Sequence, residues 1–170
     1  MKSRTKIIIS AIAYVVFMIY FTAQFLPVFY EATGGNEMID AYLADYSKSI
    51  ADMENLIIAY GETGRAFMVN FFMADSLYII ISVLFFSFLI QALTNTKYLR
   101  YIPFVTGAFD TIENIIVLYS TSSLNFDYLL FARIFATAKG VTLFSSLLII
   151  LVGLIRMVIK GVRRVKKNPS

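Results

Sequence analysis

The sequence predicts an all-α fold: an integral membrane four-helix bundle with an extra amphipathic helix in the outer loop between spans 1 and 2. Three observations carry this. Apolar residues make up 59% of the 170 residues and charged ones 15%, with a mean hydropathy of +0.74. A soluble domain runs about 45–50% apolar and about 25% charged, and one this small leaves too much area exposed to hide the surplus, so the surplus faces lipid. The apolar residues gather into four stretches long enough to cross a hydrocarbon core, which takes about 20 helical residues. Those stretches far exceed the ~9–11 residues of a membrane barrel strand and lack its alternation.

The first span is read at about residues 7–30, following Lys2, Arg4 and Lys6 and carrying no formal charge. Its apolar run exceeds the ~7–15 residues of a cleaved signal, and no small-x-small site closes it, so a retained helix is expected. Gln24 and Pro27 sit near its far end, where a kink is tolerable. Next comes a segment over 31–66. Gly34 and Gly35 form a turn and Asn36 is the expected N-cap of a helix over about 37–60, with Glu37 and Asp40 in its first turn. Apolar residues recur at Ile39, Leu43, Tyr46, Ile50, Met53, Ile57 and Tyr60, a single helical seam punctuated by Gly61 and Gly64. The seam is expected on the bundle's outer ends or the lipid interface, with Asp40, Asp45 and Asp52 in water. The second span, about 66–93, is interrupted by Asp75; the third, about 101–120, carries Asp110, Glu113 and Asn114. The fourth, about 128–156, contains Arg133 and Lys139, and a basic cytoplasmic tail follows over 157–170, its last ten residues expected to fray. The whole chain reads as one membrane domain.

Charge orients the spans. Lys2, Arg4, Lys6, Lys97, Arg100, Arg156, Lys160, Arg163, Arg164, Lys166 and Lys167 fall on one side of this arrangement with no acid among them. Glu31, Glu37, Asp40, Asp45, Asp52, Glu54 and Glu62 fall on the other, against Lys48 and Arg65. The positive-inside rule then puts both termini in the cytoplasm of a plasma-membrane protein. The basic surplus follows from topology and from attraction to anionic lipids at the cytoplasmic face, so the bilayer, and not nucleic acid, is the expected partner.

Absences prune the chemistry. Without Cys or His there is no thiol redox centre, thiolate metal site, imidazole ligand or imidazole acid–base pair, and no metal or cofactor is expected. Carboxylates, Lys, Arg, Tyr and hydroxyls remain, and a charge inside a span costs about 2.5–3.5 kcal/mol on insertion scales, so each needs a reason. Thr106, Gly107, Asp110, Glu113, Asn114, Val117 and Thr121 recur at three or four residues and share one face of span 3. Asp75 lines up with Tyr78 and Ser82, and Lys139 with Tyr128, Phe135, Thr142 and Ser146. Counted from the outer boundary, Asp75, Glu113 and Lys139 lie about 10–15 Å deep, with Asp110 near mid-membrane. One site can hold them all, with Tyr78, Arg65 and Arg133 as further candidates; Arg133, nearer the surface, has an alternative in snorkelling outward. Three acids facing one base exceed what interhelical adhesion requires, and such an excess protonates an acid or recruits a cation.

The elements Gly61-Glu-Thr-Gly64-Arg65 leading to Asp75, then Asp110-Thr-Ile-Glu113-Asn114, then Lys139 in the last span resemble a motif set of small prokaryotic four-span membrane proteins of unassigned function. The likeness covers about residues 60–150, and the Pro those proteins carry after the second-span acid is absent here. It implies a site at these residues, not an activity. A looser likeness is to sterol-isomerase and sigma-2-receptor-like bundles, which carry carboxylates in a membrane cavity. Three functions stay open: a cavity binding a cation, proton or lipid-like small molecule; a lipid-modifying enzyme with Asp110 or Glu113 as acid–base; and an accessory subunit, its charges interhelical glue, that meets another membrane protein through the outer helix.

Overall fold

A computed structural model describes residues 3–94 and 96–167, with side chains described over 5–94 and 96–159. Of the basic residues that set the expected topology, Lys2 and the side chains of Arg4 and of 160–167 lie outside the described set.

The chain is an all-α, multi-pass bundle, and among the described residues four helical stretches are long and apolar enough to cross a membrane: Thr5–Ala32, Gly61–Thr94, Leu99–Ser123 and Leu129–Ile159. The first stretch is compound. Helix α1 (Ser3–Tyr20) passes through a π-helical turn, Phe21–Phe25, into α2 (Leu26–Ala32). Pro27, in the first turn of α2, has no N–H to give the preceding turn, and the wider π turn accommodates that loss where a kink was expected. Helix α1 packs on α5 (Gly61–Thr94) through an aromatic ladder. Tyr14 stacks on Phe85 at 5.1 Å, Phe17 on Tyr78 at 6.0 Å, and Phe21 meets Phe71 at 5.7 Å.

Helix α5 is the hub, contacting α1, α6 (Ile102–Ser123) and α7 (Leu129–Lys167), while α6 and α7 pack along each other. Gly107 lets α5 and α6 close up: a Cβ there would lie 2.7 Å from Val83 Cγ2. Helix α7 continues to Lys167, so the expected fraying tail is helical to that point. Residues 168–170 of that tail lie outside the described residues.

One end of the bundle is capped by two short helices, α3 (Ile39–Ala44) and α4 (Ile50–Ala59). The single helix expected over 37–60 is therefore broken, and the cause is local. Asp45 Oδ1 accepts from the Ser47 N–H at 2.9 Å, and Ser49 and Asp52 form a reciprocal capping box that starts a new helix. Asn36 is not the N-cap either. Its Nδ2 donates to the Thr33 carbonyl at 2.6 Å, and Met38 holds the N-cap position.

The seam still packs inward, apart from the exposed Tyr46: Ile39, Leu43, Met53, Ile57 and Tyr60 are buried with Phe29, Met68, Phe71, Phe72, Val117, Leu129 and Ala132. Tyr60 ends α4, and Gly61, at a positive φ of 65°, turns the chain directly into α5, five residues before the expected start of span 2. Lipid-facing apolar side chains cover the rest, among them Ile12, Ile19, Ile80, Ile115, Val141 and Leu151, each more than half exposed within the chain.

Candidate functional site

Three polar stripes converge as their spacing predicts. Lys139 Nζ donates to Asp110 Oδ1 at 3.0 Å and lies 2.8 Å from Glu113 Oε2, so one ammonium from α7 bridges two acids a turn apart on α6. Glu113 is deeply buried, with 1% of its side chain exposed. Its contact with Lys139 is a charge contact without hydrogen-bond alignment, and neither carboxylate oxygen has a hydrogen-bond partner among the described residues. Beside it, Asn114 Nδ2 donates to Asp75 Oδ2 at 2.6 Å, tying α6 to α5. Further toward the basic end, Thr106 Oγ1 donates to Thr142 Oγ1 at 2.9 Å and joins α6 to α7.

Of these groups, Asp75, Thr106, Asp110 and Lys139 border a partly open cavity of about 210 Å³. Asp40, Asp75, Tyr78, Asp110 and Lys139 line one end; Ile79, Val83, Phe86, Pro103 and Leu143 give the rest an apolar wall, with Ser82, Thr106 and Ser146 as scattered hydroxyls. Asp75 and Phe86 are eleven residues apart on one helix, so the cavity runs about 16 Å along the bundle. Its two ends differ in chemistry, one acidic and one apolar. Tyr78 also lies within 3.3 Å of the Tyr14 hydroxyl, which links the cavity wall to α1.

Asp40 was expected in water; the structure places it, half-buried, on the cavity wall. Burial pushes its pKa up, the Lys139 charge opposes that shift, and Asp110 adds to it. By contrast, Asp45 and Asp52 are exposed, as expected. Hydrogen bonds from Ser47 and Ser49 hold their carboxyls below the usual range.

Two of the sequence candidates lie elsewhere. Arg65 lines no part of this cavity. Arg133 turns away from Lys139 toward the capping layer, where its Nη2 donates to the carbonyls of Lys48 at 2.5 Å, Tyr42 at 3.3 Å and Asp45 at 3.5 Å. Snorkelling along α7 thus ends on backbone oxygens instead of water. Tyr128 is half exposed and pairs with Tyr119 at 5.8 Å, off the Lys139 stripe. Asp40 could not be found from helical spacing within a span, because it reaches the site from a separate element. The capping box Ser49-x-x-Asp52 was legible, and it marks the break that frees α3 to take its own direction.

The chemistry follows from the donor set. Three acids, Asp40, Asp75 and Asp110, line the cavity with Lys139, its one cation among the described residues, and Lys139 also meets Glu113 behind the wall, so the site carries negative potential even with both α6 acids neutralised. No group of three or more acids is placed to share one metal ion among the described residues. The acids are spread over a wall, an arrangement suited to a head group larger than a bare ion. Comparison with known proteins gave no match to a protein family, a curated protein or a solved structure.

Proposed function

We propose that this chain is a multi-pass plasma-membrane protein, with both termini in the cytoplasm, that binds a small amphipathic molecule in the intramembrane cavity. The observation that carries this is the polarity of the cavity itself: an acidic end at Asp75 and Asp110, continuous with an apolar slot along Val83, Phe86 and Leu143. Interhelical adhesion accounts for the Lys139–Asp110 and Asn114–Asp75 pairs, but it does not call for an open volume beside them. The orientation rests on Lys6, Lys97, Arg100 and Arg156 at one end of the spans and the acidic capping segment at the other, and the basic end is suited to anionic lipids. The accessory-subunit reading loses support because Ile39, Leu43, Met53 and Ile57 are buried within the chain instead of left for a partner.

Native mass spectrometry of the protein extracted from its own membranes, with lipidomics of the co-purified fraction, tests the reading. A bound species is expected in wild type and should be lost in Ser82→Phe, which fills the slot, while the thermal melt of that variant stays near wild type. The same species at the same occupancy in the filled variant would place it on the outer surface and reject the cavity.

A further inference from the structure

We infer that Asp40, carried by the short helix α3 outside the spans, is a binding residue of the cavity and selects ligands whose head group is a positively charged nitrogen. This rests on the cavity reading above and adds to it the sign of the head group and the residue that sets it.

Each of the other charged groups facing the cavity is already engaged. Lys139 holds Asp110 and Glu113, and Asn114 holds Asp75. Asp40 is the exception: no other described residue hydrogen-bonds or ion-pairs with its carboxylate, although it lines the same cavity. Its position is fixed from behind. Ile39 and Leu43, on either side of it in α3, are buried at 1% and 0% exposure in the capping core. Arg133 clamps the carbonyls of Tyr42, Asp45 and Lys48 just beyond it, and the Tyr46 hydroxyl bonds Thr137 on the same helix α7. A half-buried carboxylate held this firmly and left without a partner costs stability unless something neutralises it.

A second unsatisfied acid points the same way. Glu113 Oε1 is fully buried with no hydrogen-bond partner among the described residues, and Lys139, already paired with both Asp110 and Glu113, has no charge to offer an incoming anion. A carboxylate-headed or phosphate-headed ligand would meet net repulsion, whereas an ammonium would meet Asp40 and the free side of Asp75. The apolar slot beyond, about 10 Å long from Ile79 to Phe86 by helical rise, fits an alkyl chain and not a second charged group.

The test uses the full chain in maltoside micelles with three probes of matched tail, decyltrimethylammonium, decanol and decanoate, read by saturable thermal stabilisation. Wild type should bind decyltrimethylammonium about tenfold or more tighter than decanol, a gap of about 1.4 kcal/mol, with decanoate weakest. Asp40→Asn should bring the ammonium to the level of decanol and leave decanol unchanged, while Asp40→Glu keeps the preference. Ser82→Phe should abolish saturable binding of all three, which separates cavity binding from partition into the micelle. Equal wild-type affinity for the three probes overturns the inference and leaves the cavity reading standing; this comparison needs no variant to fold. Saturable binding of none of them overturns the cavity reading itself. An ammonium preference that persists in Asp40→Asn but vanishes in Asp75→Asn removes Asp40 from the site.

Discussion

Replacing Lys139 with Met removes the one cation that two acids share. Glu113 is 1% exposed at 2.8 Å and Asp110 is 18% exposed at 3.0 Å, so the loss falls chiefly on Glu113, while water screens part of the loss at Asp110. Breaking a buried pair by removing one partner costs about 3–5 kcal/mol, and the exposure of Asp110 puts this case near the lower end. For a chain of this size about 3 kcal/mol corresponds to a fall in Tm on the order of 6–12 °C. Glu113→Gln in the Lys139→Met background removes the stranded charge and should restore most of that loss, because deleting both partners leaves no uncompensated ion. Circular-dichroism melts in one detergent, run as a double-mutant cycle, measure the coupling directly. If Lys139→Met melts with wild type, or if the double variant is no better than the single, the bridge contributes nothing to stability and the site's electrostatics have been misassigned. Recovery of stability without recovery of probe binding distinguishes a working site from interhelical adhesion.

Further outcomes are expected. A Cys introduced at position 45 should label from outside intact cells and one at position 98 only after permeabilisation; the reverse pattern refutes the orientation. Arg133→Met should loosen the turn between α3 and α4, since its Nη2 serves three carbonyls there, and hydrogen bonds to a charged group contribute about 1.5–3 kcal/mol. Faster proteolysis near Lys48 reads this out, and unchanged cleavage counts against the clamp. The two capping helices should respond oppositely to pH. The Asp52 pKa is lowered by its hydrogen bonds from the Ser49 backbone and then its side chain, so α4 gains stability above the ordinary value of 3.8 and loses it as pH falls through the lower folded value. Asp40, faced by Asp75, Asp110, Glu113, Lys139 and Tyr60, has a raised pKa led by burial, so its contribution is full below 3.8 and is lost as pH rises through the elevated folded value. Amide exchange, corrected for intrinsic rate, should therefore show α4 opening in acid and α3 opening as pH rises; parallel behaviour would refute the assignment of environments.

The sequence by itself determined the spans, the helical class and most of the polar cluster. Apolar length against the hydrocarbon thickness leaves little choice of span, and a helix's fixed angular step places Asp110, Glu113 and Asn114 on one face before any partner is known. The same step put Lys139 on one face of the last span with Thr142 and Ser146, and charge made acids its expected partners; that Asp110 and Glu113 are the ones it meets is set by how α6 and α7 pack. What the tertiary structure alone decided was everything that depends on one element's direction relative to another. The seam from Ile39 to Tyr60 fits one helix as well as two, and only the bonds at Asp45, Ser47, Ser49 and Asp52 break it. Once it breaks, α3 packs against α7, Asp40 enters the cavity and Arg133 closes on backbone carbonyls. The aromatic ladder of Tyr14, Phe17 and Phe21 on α5 was likewise invisible, because lipid-facing and helix-facing aromatics are equally apolar. Periodicity reports which residues share a face. Which face meets which neighbour is set by packing between segments far apart in the chain and, in the capping layer, by local side-chain bonds at Asp45–Ser47 and Ser49–Asp52 that periodicity does not weigh.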